Sequence, residues 1–152
     1  MKKGFKIIGY IIGVLIIIRL GYPLLFPVYQ VTTDSMEPTI HKGAYIMVSK
    51  MHYKIFRPKR NDVVMFKPVD GIFSAGPWAH RIIGISGDVI SIQNGVVTVN
   101  GTKTFFPEVI HENLEATVKK GYVFQKGDNG KIIVGELLED KIIGKVIYNF
   151  SK

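Results

Sequence analysis

Ser91-Ile-Gln-Asn-Gly-Val-Val-Thr-Val-Asn-Gly-Thr102 sets two Asn-Gly pairs on either side of a four-residue run of Val and Thr. Asn and Gly tolerate the positive φ that tight hairpin turns demand, so the chain is expected to reverse twice here as a small meander. Similar runs rich in Val and Ile recur on both sides, at 44–48, 62–66, 81–85, 89–92, 96–99, 122–125, 132–134 and 142–148, separated by Gly, Pro, Asn and Asp. That spacing predicts a mainly β domain over residues 30–152. The polar stretch 108–120 reads as a helical turn or an ordered loop.

The N-terminus has a different character. Lys2, Lys3 and Lys6 precede a chargeless apolar run from 7 to 18, and apolar residues resume after Arg19. Twelve helical residues rise only about 18 Å, short of the roughly 30 Å of a bilayer core. A span of residues 7–27 is long enough, with Arg19 snorkelling toward the far interface. Gly21, Pro23 and Pro27 are expected to loosen the helix at its exit. A cleaved secretory signal needs small residues in an Ala-x-Ala-like pattern, yet the first alanine is Ala44; the segment therefore reads as an uncleaved anchor. The leading lysines place residues 1–6 in the cytoplasm and the β domain outside it, making the chain a single-pass protein of the cell membrane.

Among 152 residues there is no cysteine, so disulfides, thiolate metal sites and a cysteine nucleophile are excluded. The net charge of +8 suits an anionic lipid or nucleic acid, and the anchor argues for the lipid bilayer and against nucleic acid. The basic stretch 50–60, with Tyr53 and Phe56 interleaved, reads as a solvated loop, with contact to lipid headgroups as the functional alternative.

Directly after the anchor stands Val31-Thr-Thr-Asp-Ser-Met-Glu-Pro-Thr-Ile40. Its Ser-Met-x-Pro-Thr string resembles the nucleophile motif of type I signal peptidases. Three further stretches resemble that family's motifs in the expected order: Arg60-Asn-Asp-Val-Val-Met-Phe66, His80-Arg-Ile-Ile-Gly-Ile-Ser-Gly-Asp-Val-Ile90, and Gly127-Asp-Asn129. The resemblance extends over essentially the whole chain. It implies a compact signal-peptidase-like β domain behind one transmembrane helix, acting as a serine endopeptidase on the signal peptides of exported preproteins. It implies no cofactor and no metal.

The resemblance makes Ser35 the nucleophile and its amide part of the oxyanion hole, with Thr33 placed where some members use a serine hydroxyl. The common bacterial pattern has a lysine base where this chain has His80; the endoplasmic-reticulum and archaeal type has a histidine there. Histidine, with an ordinary pKa of about 6.5, is already a competent base at neutral pH. The remaining histidines, His41, His52 and His111, lie outside the motifs. A Ser–His pair usually has an acid that orients the imidazole. The family's usual acidic position after Gly-Asp-Asn is here Lys131-Ile-Ile-Val-Gly135, which leaves Asp128 as the first candidate, with Glu136, Asp88 and Asp140 behind it and a plain dyad as the other option. Met36 and Ile40 would line the pocket for small side chains, or are simply core residues, and both can hold because a pocket wall is core on its other side; Ala79 would lie on the strand that pairs with an extended substrate. Trp78 is either near that strand or dips into the membrane interface. The alternative function is a catalytically silent assembly factor or chaperone for exported or pilus-like subunits; a soluble self-cleaving repressor with a related β fold is ruled out by the anchor.

Overall fold

A computed structural model describes residues 2–68, 76–104, 113–129 and 135–150, with side chains from Lys6 onward. The first helix, α1, runs over Lys2–Leu25. At 1.5 Å per residue its 24 residues reach about 36 Å, enough to cross a bilayer core. No residue of its apolar window within 6–25 is buried, and near its end Tyr22 Oη lies 3.4 Å from Met47 Sδ of the domain. The helix continues through Pro23, and Phe26 N still donates to Tyr22 O at 2.8 Å, so the expected loosening begins only after Leu25. The chain then hooks straight onto the domain: Val48 N donates to Pro27 O and Lys50 N to Leu25 O, both at 3.0 Å.

Eleven strands follow, all paired antiparallel among the described residues. They are β1 (Val28–Gln30), β2 (Tyr45–Ser49), β3 (Val63–Phe66), β4 (Trp78–Ile85), β5 (Val89–Gln93), β6 (Val96–Val99), β7 (Thr102–Lys103), β8 (Leu114–Thr117), β9 (Tyr122–Lys126), β10 (Gly135–Leu138) and β11 (Ile142–Asn149). A four-residue helix, α2 (His52–Ile55), lies between β2 and β3. Seven strands form one sheet in the order β1-β2-β11-β3-β4-β9-β10, and four form a second, β7-β6-β5-β8. The meander is present as expected. Asn94 and Asn100 adopt φ of 49° and 52°, each followed by a positive-φ glycine, and they join β5 to β6 and β6 to β7.

The expected strands at 44–48, 62–66, 81–85, 89–92, 96–99, 122–125 and 142–148 correspond to β2, β3, β4, β5, β6, β9 and β11, with ends moved by up to three residues. The expected strand at 132–134 lies outside the described residues. Within 108–120, residues 114–117 form β8 rather than a helical turn, because Leu114 and Ala116 turn inward while Glu115 and Thr117 face solvent.

Period-2 alternation sorts the side chains of β3 and β4 onto two faces of the large sheet. Met65 and Ala79, which are directly paired, join Val31, Met36, Ile40, Ile46 and Val48 in one core. Val64, Phe66 and Ile82 join Val123 and Leu137 in another. The third core, around Ile90, Ile92 and Phe124, ties the small sheet to the large one.

Candidate active site

The segment after β1 stays extended, with Val31 N donating to Ala44 O (2.8 Å) and Gly43 N donating to Val31 O (2.7 Å). It then turns: Glu37 N donates to Asp34 O at 3.0 Å and Ile40 N to Met36 O at 2.9 Å. Met36 and Ile40 are driven into the core, and this anchors the turn and fixes Ser35 between them and the extended segment. Ser35 is only 4% exposed, with Oγ 3.1 Å from Thr33 Oγ1.

His80 reaches the same place from β4. The register of β4 with β9 pairs Arg81 with Lys126, and one further step sets Gly127 opposite His80. Opposed residues of an antiparallel pair present their side chains to the same face. A Cβ on Gly127 would come within 2.6 Å of Ser35 O and 3.4 Å of Ser35 Cβ. Ser35 therefore packs over the bare Cα of Gly127, on the face of the sheet that His80 occupies. Only glycine leaves room for that approach.

The imidazole of His80 is 1% exposed and lies between aromatic rings, 5.4 Å from Phe66 and 5.8 Å from Trp78 between centroids. Burial pushes its pKa below the ordinary histidine value, against smaller upward effects from the Gln125 hydrogen bond and the Asp128 charge and a further lowering by Lys126. Its Nδ1 is hydrogen-bonded to Oε1 of Gln125 on β9. Its Nε2 is buried without a hydrogen-bond partner among the described residues. Ser35 Oγ and His80 Nε2 are thus not hydrogen-bonded to each other.

The carboxylate expected to orient the imidazole is engaged elsewhere. Asp128 accepts from Arg81 Nε at 3.0 Å and from Arg81 Nη2 at 2.6 Å, a two-pronged ion pair in which neither side chain is more than 13% exposed. Arg81 Nη1 also donates to Asn61 O at 3.0 Å. Beyond Asp128, Asn129 holds the serine turn: its N donates to Ser35 O at 3.2 Å and its Nδ2 to Asp34 O at 2.9 Å. The Gly-Asp-Asn string thus acts as a clamp on the turn that carries Ser35. The other acidic candidates lie apart from His80. Asp88 is held by Arg60, Ile85 N and Asn100, Glu136 pairs with Lys119, and Asp140 sits in a short 3-10 turn before β11.

Lys126 is fully buried, and desolvation lowers its pKa. It is cross-strand partner to Arg81 and so belongs to the face opposite His80, where its Nζ donates to Gly127 O at 2.8 Å.

A cleft of about 60 Å³ opens between the extended segment and the start of β4, lined by Gln30, Val31, Thr32, Thr33, Met65, Pro77, Trp78 and Ala79. Ala79 lines it. Met36 and Ile40 do not: both are wholly in the core behind the turn. Trp78 packs on Phe66 and His80 at the cleft wall, half-buried. His41 bonds Glu37 at the surface, His52 of α2 packs its ring, tilted, against Phe56 just beyond the helix, and His111 lies outside the described residues.

Sequence reasoning missed Gln125, whose role comes from a partner 45 residues away, and the clamping function of Asn129. The second was signalled by its place in the Gly-Asp-Asn string; nothing in the sequence singles out the first.

The model of the family described as signal peptidase, peptidase S26 matches residues 1–150. A probable signal peptidase I-1 of Synechocystis sp. is 29% identical over 134 residues, covering 79% of this chain and 68% of that protein. Signal peptidase I T of Bacillus subtilis is 29% identical over 154 residues, covering 88% and 78%. Thylakoidal processing peptidase 1 of Arabidopsis thaliana is also 29% identical, over 80% of this chain but only 41% of its own length. The crystal structure of a signal peptidase I from Enterococcus faecalis aligns with a TM-score of 0.46 and 18% identity, over 60% of this chain and 97% of that one.

Proposed function

The chain belongs to the signal peptidase S26 family, and from that premise we propose that it is a membrane-anchored serine endopeptidase that removes signal peptides from exported preproteins, with Ser35 as nucleophile and His80 as general base. The relatives named above are peptidases, and none of them favours a silent assembly factor. The observation that carries the residue roles is Gly127, whose missing side chain lets Ser35 lie on the His80 face of the sheet.

The preprotein segment before the cut binds extended in the cleft, between residues 30–33 and 77–79, adding a strand where β4 runs past the end of β9. The cleft between these segments favours small side chains near the scissile bond. Ser35 Oγ attacks the scissile carbonyl as its proton passes to Nε2 of His80. The Ser35 amide and the Thr33 hydroxyl donate to the oxyanion that develops. Collapse returns the proton from Nε2 to the departing amine, leaving the signal peptide as an ester on Ser35; water, deprotonated by His80, then releases it. In this reading the lysines before α1 stay in the cytoplasm, α1 spans the cell membrane, and the β domain works on its outer side.

Incubation of the detergent-solubilised full chain with a preprotein tests this directly. Ser35→Ala is expected to abolish cleavage with the fold intact, since it removes one oxygen. Wild-type cleavage by that variant would remove Ser35 from the mechanism.

A further inference from the structure

We propose that Gln125 is the positioning residue of the reaction: its side-chain carbonyl holds His80 in the tautomer that carries its proton on Nδ1, leaving the lone pair of Nε2 for the Ser35 hydroxyl. This rests on the reading of His80 as the base. A neutral imidazole has one N–H and one bare nitrogen, and a carbonyl oxygen can only accept. With Oε1 of Gln125 on Nδ1, the proton belongs on Nδ1. The bare nitrogen is then Nε2, which is the atom buried without a partner among the described residues. The Gln125 contact thus sets the tautomer, and Nε2 is the nitrogen left open to Ser35.

The support of Gln125 is stiff. It sits inside β9, paired with Ile82 of β4 on one side and Gly135 of β10 on the other, and is 9% exposed. The ring it orients is wedged against Phe66 and Trp78, so it has little freedom to swing away from the amide.

A neutral amide in this position has a consequence that a carboxylate would not. It fixes the tautomer without a full negative charge to stabilise imidazolium. The charged groups that act on the ring are Asp128, already neutralised by Arg81, and Lys126, which opposes protonation. The acidic limb of the activity profile therefore falls below the ordinary histidine value, in line with the direction imposed by burial.

Three variants of the full-length protein, assayed with a preprotein across pH, test the assignment. Gln125→Leu keeps the volume and removes the acceptor; kcat at the plateau should fall by about 10²- to 10⁴-fold, with KM little changed. Gln125→Glu keeps an acceptor and adds a charge. It should recover most of the plateau rate while moving the acidic limb up by about 1–3 pH units. Wild-type kcat in Gln125→Leu, or an unmoved limb in Gln125→Glu, would overturn the proposal. His80→Ala separates it from the reading beneath: full activity there removes the base itself, whereas an inactive His80→Ala beside unaffected Gln125 variants removes only Gln125. Should Gln125→Leu fail to fold, ¹⁵N chemical shifts of histidine-labelled wild type settle the point, with His80 assigned by the signals lost in His80→Ala. Protonated Nδ1 with bare Nε2 is expected, and the opposite tautomer would overturn the assignment.

Discussion

His80 and Arg81 are neighbours on one strand, both largely buried, and they meet opposite surroundings. His80 faces Phe66, Trp78 and the amide of Gln125, where burial favours its neutral form. Arg81, turned to the other face by the pleat, pairs with Asp128 and also bonds Asn61. The strand keeps the reactive group apart from the structural ion pair by alternation alone. The ion pair on one face fixes the backbone, and uncharged polar groups on the other leave His80 free to act as the base proposed above. Gly127 joins the two faces, since it follows Lys126, precedes Asp128 and lies under Ser35.

The largest effect belongs to the reactive face. His80→Ala should lower kcat/KM by roughly 10⁴- to 10⁶-fold, as for one member of a reacting unit, with the protein still folded but less stable by about 1–3 kcal/mol, since Gln125 loses its buried partner. A variant that lost its fold instead of its rate would mean that His80 is structural. The other face should respond in the reverse sense. Asp128→Ala leaves Arg81 buried without its partner and should cost about 3–5 kcal/mol of stability, read from denaturant unfolding. If stability held while activity alone vanished, Asp128 would belong to the chemistry and the separation of faces would fail.

Gly127→Ala probes the junction. Its added methyl meets Ser35 O at 2.6 Å, so the serine turn must shift. A displacement of about 1 Å is worth about 10² in rate, and kcat should fall by that order while the melting temperature drops only modestly. Wild-type kcat in this variant would dissociate Ser35 from Gly127. The smallest effect is expected at Lys126. Lys126→Met should keep the plateau rate and move the acidic limb slightly toward neutrality, because it removes a positive charge that opposes protonation of His80. Loss of activity would implicate Lys126 as a base.

Local signals were legible in the sequence and distant ones were not. The Asn-Gly turns and the Val- and Ile-rich strands depend on near neighbours, and they appear where expected. β8 has only Leu114 and Ala116 as inward residues and is too weak a pattern to stand out. β1 is continuous in composition with the anchor, so it did not stand out as a separate strand; its pairing with β2 defines it. At the site, Ser35 and His80 stood within recognisable strings, whereas the partner of Nδ1 was obscured. Asp128 has the right charge and motif, but Arg81, 47 residues away, holds it; Gln125 carries no charge and no motif. Met36 and Ile40 flank the serine in sequence, yet the turn sends both inward and leaves the cleft to residues of β4 and the extended segment.

The central claim is that a neutral, buried imidazole is the base, and the pH dependence of kcat/KM for preprotein cleavage by the wild-type chain tests it most directly. The base acts only when unprotonated, and burial lowers the pH at which it loses its proton. The account therefore predicts an activity that rises with pH along a single limb centred below about 6.5, the ordinary histidine value, and then holds level through neutrality. An activity negligible at pH 7 and still climbing above pH 9 would contradict it and assign the base to a lysine.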